Sequence, residues 1–214
     1  SGEPLFGFQV TFFRSRIART QNMVSKLAAR QLIFAHAAIT DIKGKKLWHD
    51  QRMARSSGAE PGTNSLDDAF ASTRDTAITL QDWSLLRQAD GHLQARIAGT
   101  DFTMGLTLAA TQPVLLQGAQ GLSQKGPHPR HSSYYYSLPH LQVNGHVVLR
   151  GKRYETGSGS TAWLDHEWSQ QLMPPGAVGW DWMGINLLDG SALTAFRLRD
   201  KASYPVWAGG SFRF

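Results

Sequence analysis

The sequence predicts an all-β fold, an antiparallel barrel or sandwich, from three observations. Short segments with apolar residues at alternate positions recur along the chain, turn-forming residues separate them, and no amphipathic helical period is convincing. The 21 glycines and 9 prolines among 214 residues supply the many turns that such a fold needs. The absence of Cys excludes disulfides and thiolate metal sites, and no run reaches the roughly 18 apolar residues of a membrane-spanning helix.

Three strands are predicted in the N-terminal part of the chain, at Gly7–Phe13, Gln31–Thr40 and Leu47–Met53. The second is Ala-rich and alternates poorly, so a helix remains an alternative there. If it is a strand, His36 shares a face with Leu32 and Phe34, which is typical of a hydrogen-bonded core histidine and leaves ligand contact as the alternative. Ser56–Thr76 is the longest predicted loop.

Hairpins are predicted at three further places, where a turn signal separates two alternating segments. The paired segments are Asp82–Arg87 with His92–Ile97, Leu141–Val143 with Val147–Leu149 around Asn144–Gly145, and Trp180–Leu188 with Ser191–Arg199 around Asp189–Gly190. Phe102–Leu108 is a half-buried strand, and a last strand begins at Trp207. Gln117–Pro139 is interpreted as a long stretch rich in Gly, Pro, Ser and His that contains a Tyr triplet.

The stretch Trp163–Trp182 (WLDHEWSQQLMPPGAVGWDW) is the most unusual part of the chain. It holds four Trp, two Asp, one Glu and one His within twenty residues. Alternate residues of a strand share a face, so its first part would carry Trp163, Asp165 and Glu167 on one face and Leu164, His166 and Trp168 on the other. This composition fits an apolar pocket edged by ionisable groups, or a well-bonded corner between two structural units.

Several catalytic arrangements are compatible with this stretch. Asp165 and Glu167 would lie roughly 7 Å apart along a strand, within the spacing that glycoside hydrolysis uses. A partly buried His166 could act as an acid or a base. In the structural alternative, the acids bond backbone N–H groups or Arg side chains, and the Trp rings fill a core.

Metal, nucleotide and nucleic-acid functions are not expected. His128, His131 and His140 lie near a Pro-containing loop that would not fix ligand geometry, so no metal is predicted. The sequence has neither a nucleophile elbow nor a glycine-rich loop that opens a helix, so no triad and no nucleotide cofactor are predicted. The net charge of +6 is dispersed. Its densest patch, Arg14–Arg30, indicates a solvated surface, with an anionic head-group contact as the alternative.

Three segments of the chain together resemble the CrtC/AttH family of lipocalin-like proteins. They are GFQVTFFRSR, AHAAITD and YYYSLPHLQVNG…GSGSTAWLDHEWS…GWDWMGINLLDGSALTAFRLR. Bacterial members are labelled predicted secreted hydrolases or carotenoid 1,2-hydratase-like proteins. The resemblance implies two consecutive lipocalin-like β-barrel domains, at residues 1–173 and 174–214, with the second incomplete in this chain. It also implies a periplasmic or secreted protein, often a lipoprotein, that works beside a membrane transport system.

The expected function is therefore binding or processing of a hydrophobic, lipid- or isoprenoid-like small molecule, without a cofactor. Two interpretations stay open, because a fold does not fix a function. Either the acids are structural, or the protein is a hydratase or hydrolase that adds water by acid catalysis. The candidates for proton transfer are Asp165, His166 and Asp181, and the candidates for ligand binding are Trp168, Trp180, Trp182, Tyr135 and His36.

The residue types of these candidates and their positions in the chain suggest a pocket role for some and a junction role for others. Aromatic faces stabilise a cationic intermediate, and an Asp or a His in an apolar pocket can hold the proton to be transferred. Pro174–Gly176 interrupts the stretch where the resemblance places a domain junction. A junction role is consequently favoured for Asp165 and Glu167, and a pocket role for His166 and the later tryptophans.

Overall fold

A computed structural model describes residues 5–64, 66–170 and 173–214, and its regular structure is almost entirely antiparallel β-strand. The strands are β1 (Phe6–Arg16), β2 (Gln31–Asp41), β3 (Lys46–Ser56), β4 (Ala69–Ala71), β5 (Ala77–Leu80), β6 (Trp83–Arg87), β7 (Leu93–Ala98), β8 (Phe102–Ala109), β9 (Leu115–Leu116), β10 (Leu122–Gln124), β11 (Ser132–Leu149), β12 (Lys152–Glu155), β13 (Thr161–Trp168), β14 (Gly179–Asn186), β15 (Ala192–Arg199) and β16 (Pro205–Arg213). The one helical element among the described residues is a three-residue 3-10 turn, Ala18–Thr20. The predicted all-β class is confirmed.

The chain forms two compact units, and each unit is built from two separate segments. Unit 1 comprises the residues up to Ala109 together with Val143–Ser160, and unit 2 comprises Ala110–Gln142 together with Thr161–Phe214. Strand β11 contributes residues to both units. The expectation of two lipocalin-like domains at residues 1–173 and 174–214 stays a prediction.

Unit 1 contains the strands that the N-terminal alternation predicted. Strands β1, β2 and β3 pair in chain order, and β4 to β8 form a meander. The inward residues of β2 are small or aliphatic and at most 2% exposed, namely Ile33, Ala35, Ala37 and Ile39. Trp83 opens β6 fully buried, and its indole N–H donates to the Ala98 carbonyl at 2.8 Å. The bond satisfies the polar group of a large core side chain, as burial of a Trp requires.

Unit 2 is organised around the first half of β11. Strands β9 and β10 pair with one edge of this segment, and β13 pairs with the other. Strands β14, β15 and β16 form a separate antiparallel sheet in chain order. The buried positions include polar residues alongside apolar ones, namely Ser133, Tyr135, Ser137 and Leu141 of β11, and Ala192, Thr194 and Leu198 of β15.

Several predicted elements agree with the structure. The segment Gln31–Thr40 is a strand, so the helical alternative is wrong. The hairpin of β6 with β7 and the hairpin of β14 with β15 are confirmed. The long loop Ser56–Thr76 contains the short strand β4, because Ala69–Ala71 pairs with β5.

Two predictions about β11 are wrong. Tyr134–Tyr136 lies within the strand and not in a connecting stretch, and the strand runs straight through Asn144–Gly145. The turn that follows is Arg150–Gly151, whose φ angles of 49° and 80° fit the type I′ geometry. The first part of this strand lacks the alternation of apolar residues that predicts a strand, because several of its buried positions are Ser, Tyr and Pro.

Gly145 lies where β11 and β8 approach each other closely, and not in a turn. Its φ is 131°, and a Cβ at this position would lie 2.0 Å from the Gly105 carbonyl oxygen. A side chain here would therefore displace the backbone of β8, whereas at Gly151 (φ 80°) nothing lies within 4 Å of an added Cβ.

We predict that Gly145→Ala lowers the free energy of unfolding by about 3 kcal/mol or more, because backbone strain and overpacking act together. Gly151→Ala is the matched control and should cost about 1–2 kcal/mol, from strain alone. Urea denaturation of both variants measures the difference. Equal losses at the two positions would contradict the close approach.

Candidate functional site

The pairing of β11 with β13 in unit 2 brings a group of polar and aromatic side chains together. Ser137 pairs with Asp165, and Tyr135 pairs with Glu167. Alternation puts Trp163 on the same face as these two acids, as the sequence predicted. We call the group formed by Tyr135, Ser137, Trp163, Asp165 and Trp182 the Asp165 cluster.

Asp165 accepts three hydrogen bonds within this cluster. Its Oδ1 accepts from the Ser137 hydroxyl at 2.6 Å and from the Trp163 indole N–H at 2.7 Å. The Tyr135 hydroxyl donates the third. Two of the three donors therefore share a single carboxylate oxygen, Oδ1.

Tyr135 links the acid to the neighbouring sheet of unit 2. It is 3% exposed, and its hydroxyl oxygen accepts from the Trp182 indole N–H at 3.0 Å. An indole nitrogen can only donate, so Tyr135 is left to direct its own proton towards Asp165. The rings of Trp163 and Trp182 meet edge to face with their centroids 6.3 Å apart.

A second acid, Glu167, lies on the same face and has a cation beside it. Its Oε1 accepts from the Ser133 hydroxyl and lies 3.0 Å from the Lys125 ammonium. That ammonium also lies over the rings of Tyr135 and Phe196, at 4.6 and 4.2 Å from their centroids. Lys125 is thus held between two ring faces and a carboxylate, an arrangement that stabilises a partly desolvated cation.

Desolvation dominates the electrostatics of the Asp165 cluster. Although Asp165 keeps access to solvent, the protein atoms packed around its carboxyl group desolvate it and raise its pKa above the ordinary value, against the three hydrogen bonds that favour the anion. Burial, reinforced by the charge of Asp165, likewise raises the pKa of Tyr135, so the phenol stays protonated. A carboxyl group of this kind is suited to hold and transfer a proton.

The structure separates His166 and Trp168 from this cluster. Both lie on the opposite face of β13, where Tyr134 stacks on Trp168 with a centroid distance of 5.4 Å. On the same face the Tyr136 hydroxyl lies 2.9 Å from His166 Nδ1. Tyr134 and Trp168 are about half exposed, so this face is an aromatic surface and not a core.

The other candidate residues also lie apart from Asp165. Asp181 is exposed and pairs with Arg197 at 2.8 Å, and these contacts lower its pKa. Trp180 is exposed, on the face of β14 that also carries Trp182. His36 belongs to unit 1, where it lies exposed on β2 and its ring meets that of Phe13 edge to face, with the centroids 5.5 Å apart. Of the eight candidates, only Asp165, Tyr135 and Trp182 meet.

Three residues of the site were missed by sequence reasoning. Ser137 and Gln117 are buried polar residues that support Asp165, and Lys125 faces Glu167. The available signal was that residues with a hydroxyl group, Ser133, Tyr135 and Ser137, alternate along this segment, which indicates a polar interior once the segment is known to be a strand.

Two surface depressions lie in unit 1, and none of the predicted site residues lines either of them. One measures about 380 Å³ and includes Asp101 and Arg150, and the other measures about 310 Å³ and includes Glu60 and Asp67. Within the described ranges, no group of three or more His, Asp or Glu residues could hold a metal ion. In that same part of the chain, no helix has the length and apolar character needed to span a membrane.

Comparison with known proteins gives one family and two informative structures. The model of the AttH-like family matches residues 1–214. A crystal structure of a Nitrosomonas europaea protein provisionally named AttH is 42% identical, with a TM-score of 0.84 over 98% of this chain and 60% of that one. Kievitone hydratase from Nectria haematococca is 15% identical, with a TM-score of 0.64 over 85% of this chain and 52% of the hydratase. No curated protein matches the chain.

These likenesses define the fold and its extent. At 15% identity the hydratase is informative about the fold alone, and the lipocalin-like class is thereby confirmed. The chain spans 60% of the length of one solved relative and 52% of the other.

We predict opposite effects of pH on the stability of Asp165→Asn and Asp181→Asn. The folded pKa of Asp165 is raised, so its protonated form is favoured on folding and wild-type stability falls as the pH rises from the ordinary value of 3.8 through the folded pKa. Asn at this position cannot ionise. The free energy of unfolding of Asp165→Asn should therefore increase relative to that of the wild type as the pH rises.

Asp181 is the matched control because its folded pKa is lowered. Its ion pair contributes stability above pH 3.8 that is lost as the pH falls. The free energy of unfolding of the wild type should therefore increase relative to that of Asp181→Asn as the pH rises. Urea denaturation between about pH 3 and pH 8 measures both differences. A pH-independent difference for Asp165→Asn would contradict the desolvated acid.

Proposed function

The chain belongs to the AttH-like family, and on this premise we propose that it acts on a hydrophobic, lipid- or isoprenoid-like small molecule as a hydratase or hydrolase. The observation that carries the proposal is the Asp165 carboxyl, whose pKa is raised by desolvation and which accepts from the Trp163 indole. The Tyr135 hydroxyl connects it to the Trp182 indole, whose ring packs against Trp163. The name of the fungal relative, a hydratase, agrees in reaction class.

The proposed reaction is acid-catalysed addition of water to a carbon–carbon double bond. Protonated Asp165 gives its carboxyl proton to one alkene carbon, which leaves a cation on the other carbon. The ring faces of Trp163 and Trp182 stabilise that cation. Water then bonds to the cationic carbon and returns a proton to the Asp165 carboxylate, so the acid is regenerated and atoms balance.

Tyr135 and Ser137 keep the acid in place during this sequence. Each donates to Asp165, and their bonds strengthen when the carboxylate carries its charge after proton transfer. The same bonds favour the anion over the protonated form, which makes Asp165 a stronger acid than desolvation alone would allow.

Binding without catalysis is the second candidate. It is favoured because the polar groups of the cluster already have hydrogen-bond partners within the protein. Asp165 accepts three hydrogen bonds, and the Tyr135 hydroxyl both accepts and donates one. Such a network also suits a structural corner. In this case the protein carries its ligand unchanged, and the exposed aromatic residues contact it.

The proposal includes export. We place the protein in the periplasm or outside the cell, with a lipid anchor as one form and a membrane transport system as a partner. Support comes from the family alone. Fractionation of cells that express the full-length gene tests it, and recovery in the cytoplasm would overturn it.

We predict that Asp165→Asn lowers the rate of water addition by about 10²-fold or more, because the proton donor is removed. The assay incubates full-length protein with farnesol and longer isoprenoid alcohols in oxygen-labelled water and detects the hydrated product by mass spectrometry. Asp90→Asn, at an exposed acid of unit 1, is the control and should retain full activity.

Ligand affinity separates the two candidate functions. Quenching of tryptophan fluorescence should report binding in wild type and in Asp165→Asn alike. Turnover that disappears while affinity remains supports the catalytic acid. Binding without any turnover in the wild type favours the carrier, and a folded Asp165→Asn with full activity would exclude Asp165 as the acid.

A further inference from the structure

The geometry points to Gln117 as a positioning residue that fixes the Ser137 hydroxyl as a donor to Asp165. The catalytic meaning of this role rests on the proposed function, because Asp165 is the proton donor there. The positioning itself can be tested without any substrate.

Gln117 is placed for this role by its backbone and by burial. It follows β9 directly and is 2% exposed. Its backbone N–H donates to the Tyr135 carbonyl at 3.1 Å, and its carbonyl accepts from the Gly121 N–H at 3.0 Å. The residue is therefore anchored to β11 before its side chain makes any contact.

The amide nitrogen of Gln117 makes two hydrogen bonds inside unit 2. It donates to the Ser137 hydroxyl oxygen at 2.8 Å and to the Thr194 hydroxyl oxygen at 3.0 Å. Ser137 and Thr194 are at most 1% exposed. A primary amide has two N–H groups, so both are used and the side chain cannot rotate without leaving a buried donor unpaired.

The directions of these bonds follow from the carboxylate. An ionised Asp165 can only accept, so the single proton of the Ser137 hydroxyl points towards it. The Ser137 oxygen must then accept from its other neighbour, which requires the nitrogen and not the oxygen of the Gln117 amide to face it. Gln117 thus removes the alternative orientations of the Ser137 hydroxyl and keeps its donor aimed at Asp165.

Loss of this constraint should weaken the hydrogen bond that stabilises the Asp165 anion. Gln117→Leu keeps a side chain of similar size but has no donor, so the Ser137 hydroxyl can turn away. A hydrogen bond that stabilises a charged group changes the acid dissociation constant of that group by about a factor of ten. We therefore expect the acid dissociation constant of Asp165 to fall by up to about tenfold when this bond is weakened. The activity of full-length enzyme should then persist to a higher pH.

The test follows the titration of the Asp165 carboxyl carbon by NMR in isotopically labelled protein, with the signal assigned from Asp165→Asn. Wild type, Gln117→Leu, Ser137→Ala and the double variant form a cycle. Gln117→Leu should shift the titration upwards in the wild-type background and have no effect in the Ser137→Ala background. Gln142→Leu, at an exposed Gln of β11, is the matched control and should leave the titration unchanged.

Thr194→Val provides a second route if Gln117→Leu does not fold. It removes the acceptor of the other amide hydrogen, loosens Gln117 and should shift the titration in the same direction by less. An unchanged titration in the folded Gln117 or Thr194 variant, or an equal shift with and without Ser137, would overturn the positioning role. A shift through Ser137 together with no water addition in any assay would instead leave the positioning role intact and overturn the proposed function.

Discussion

A partly desolvated carboxyl group at Asp165 is the constraint on which the polar network of unit 2 depends. An ionised carboxylate that loses part of its hydration is destabilised unless hydrogen-bond donors replace the lost water. Here Ser137 and Tyr135 of β11 and Trp163 of β13 are the donors, and Trp182 of β14 donates in turn to Tyr135. The polar chain that begins at one carboxyl therefore joins three strands and specifies the register in which they pack.

Sequence patterns predicted strand β13 of this site and its two faces, but they predicted neither the β11 segment opposite it nor the residues that meet there. Alternation put Asp165 on one face of β13 and His166 on the other, and the structure agrees. Sequence spacing cannot say which residue of another strand lies opposite, so Ser137 and Gln117 were missed. For the same reason Asp181 was predicted to transfer a proton, although the residue opposite it on the next strand is Arg197, with which it forms an ion pair.

The failure at Asn144–Gly145 has a different physical cause. Asn-Gly is a strong local signal for a hairpin turn, because both residues tolerate a positive φ. In this chain the glycine is required by a neighbour distant in sequence, since Gly105 on β8 leaves no room for a Cβ. Local propensity and tertiary packing demand the same residue type for different reasons, and a single sequence does not distinguish them.

The division of each compact unit between two chain segments limits how this protein can be modular. The chain passes from one unit to the other at Ala109–Ala110, at Gln142–Val143 and at Ser160–Thr161. A single cut at Gln142–Val143 splits both units, whereas a cut at either of the other two points splits one unit and leaves a segment of it inside the other. Neither unit can consequently be excised or exchanged as one continuous gene fragment. A recombination event that keeps both units intact therefore has to transfer the two of them together.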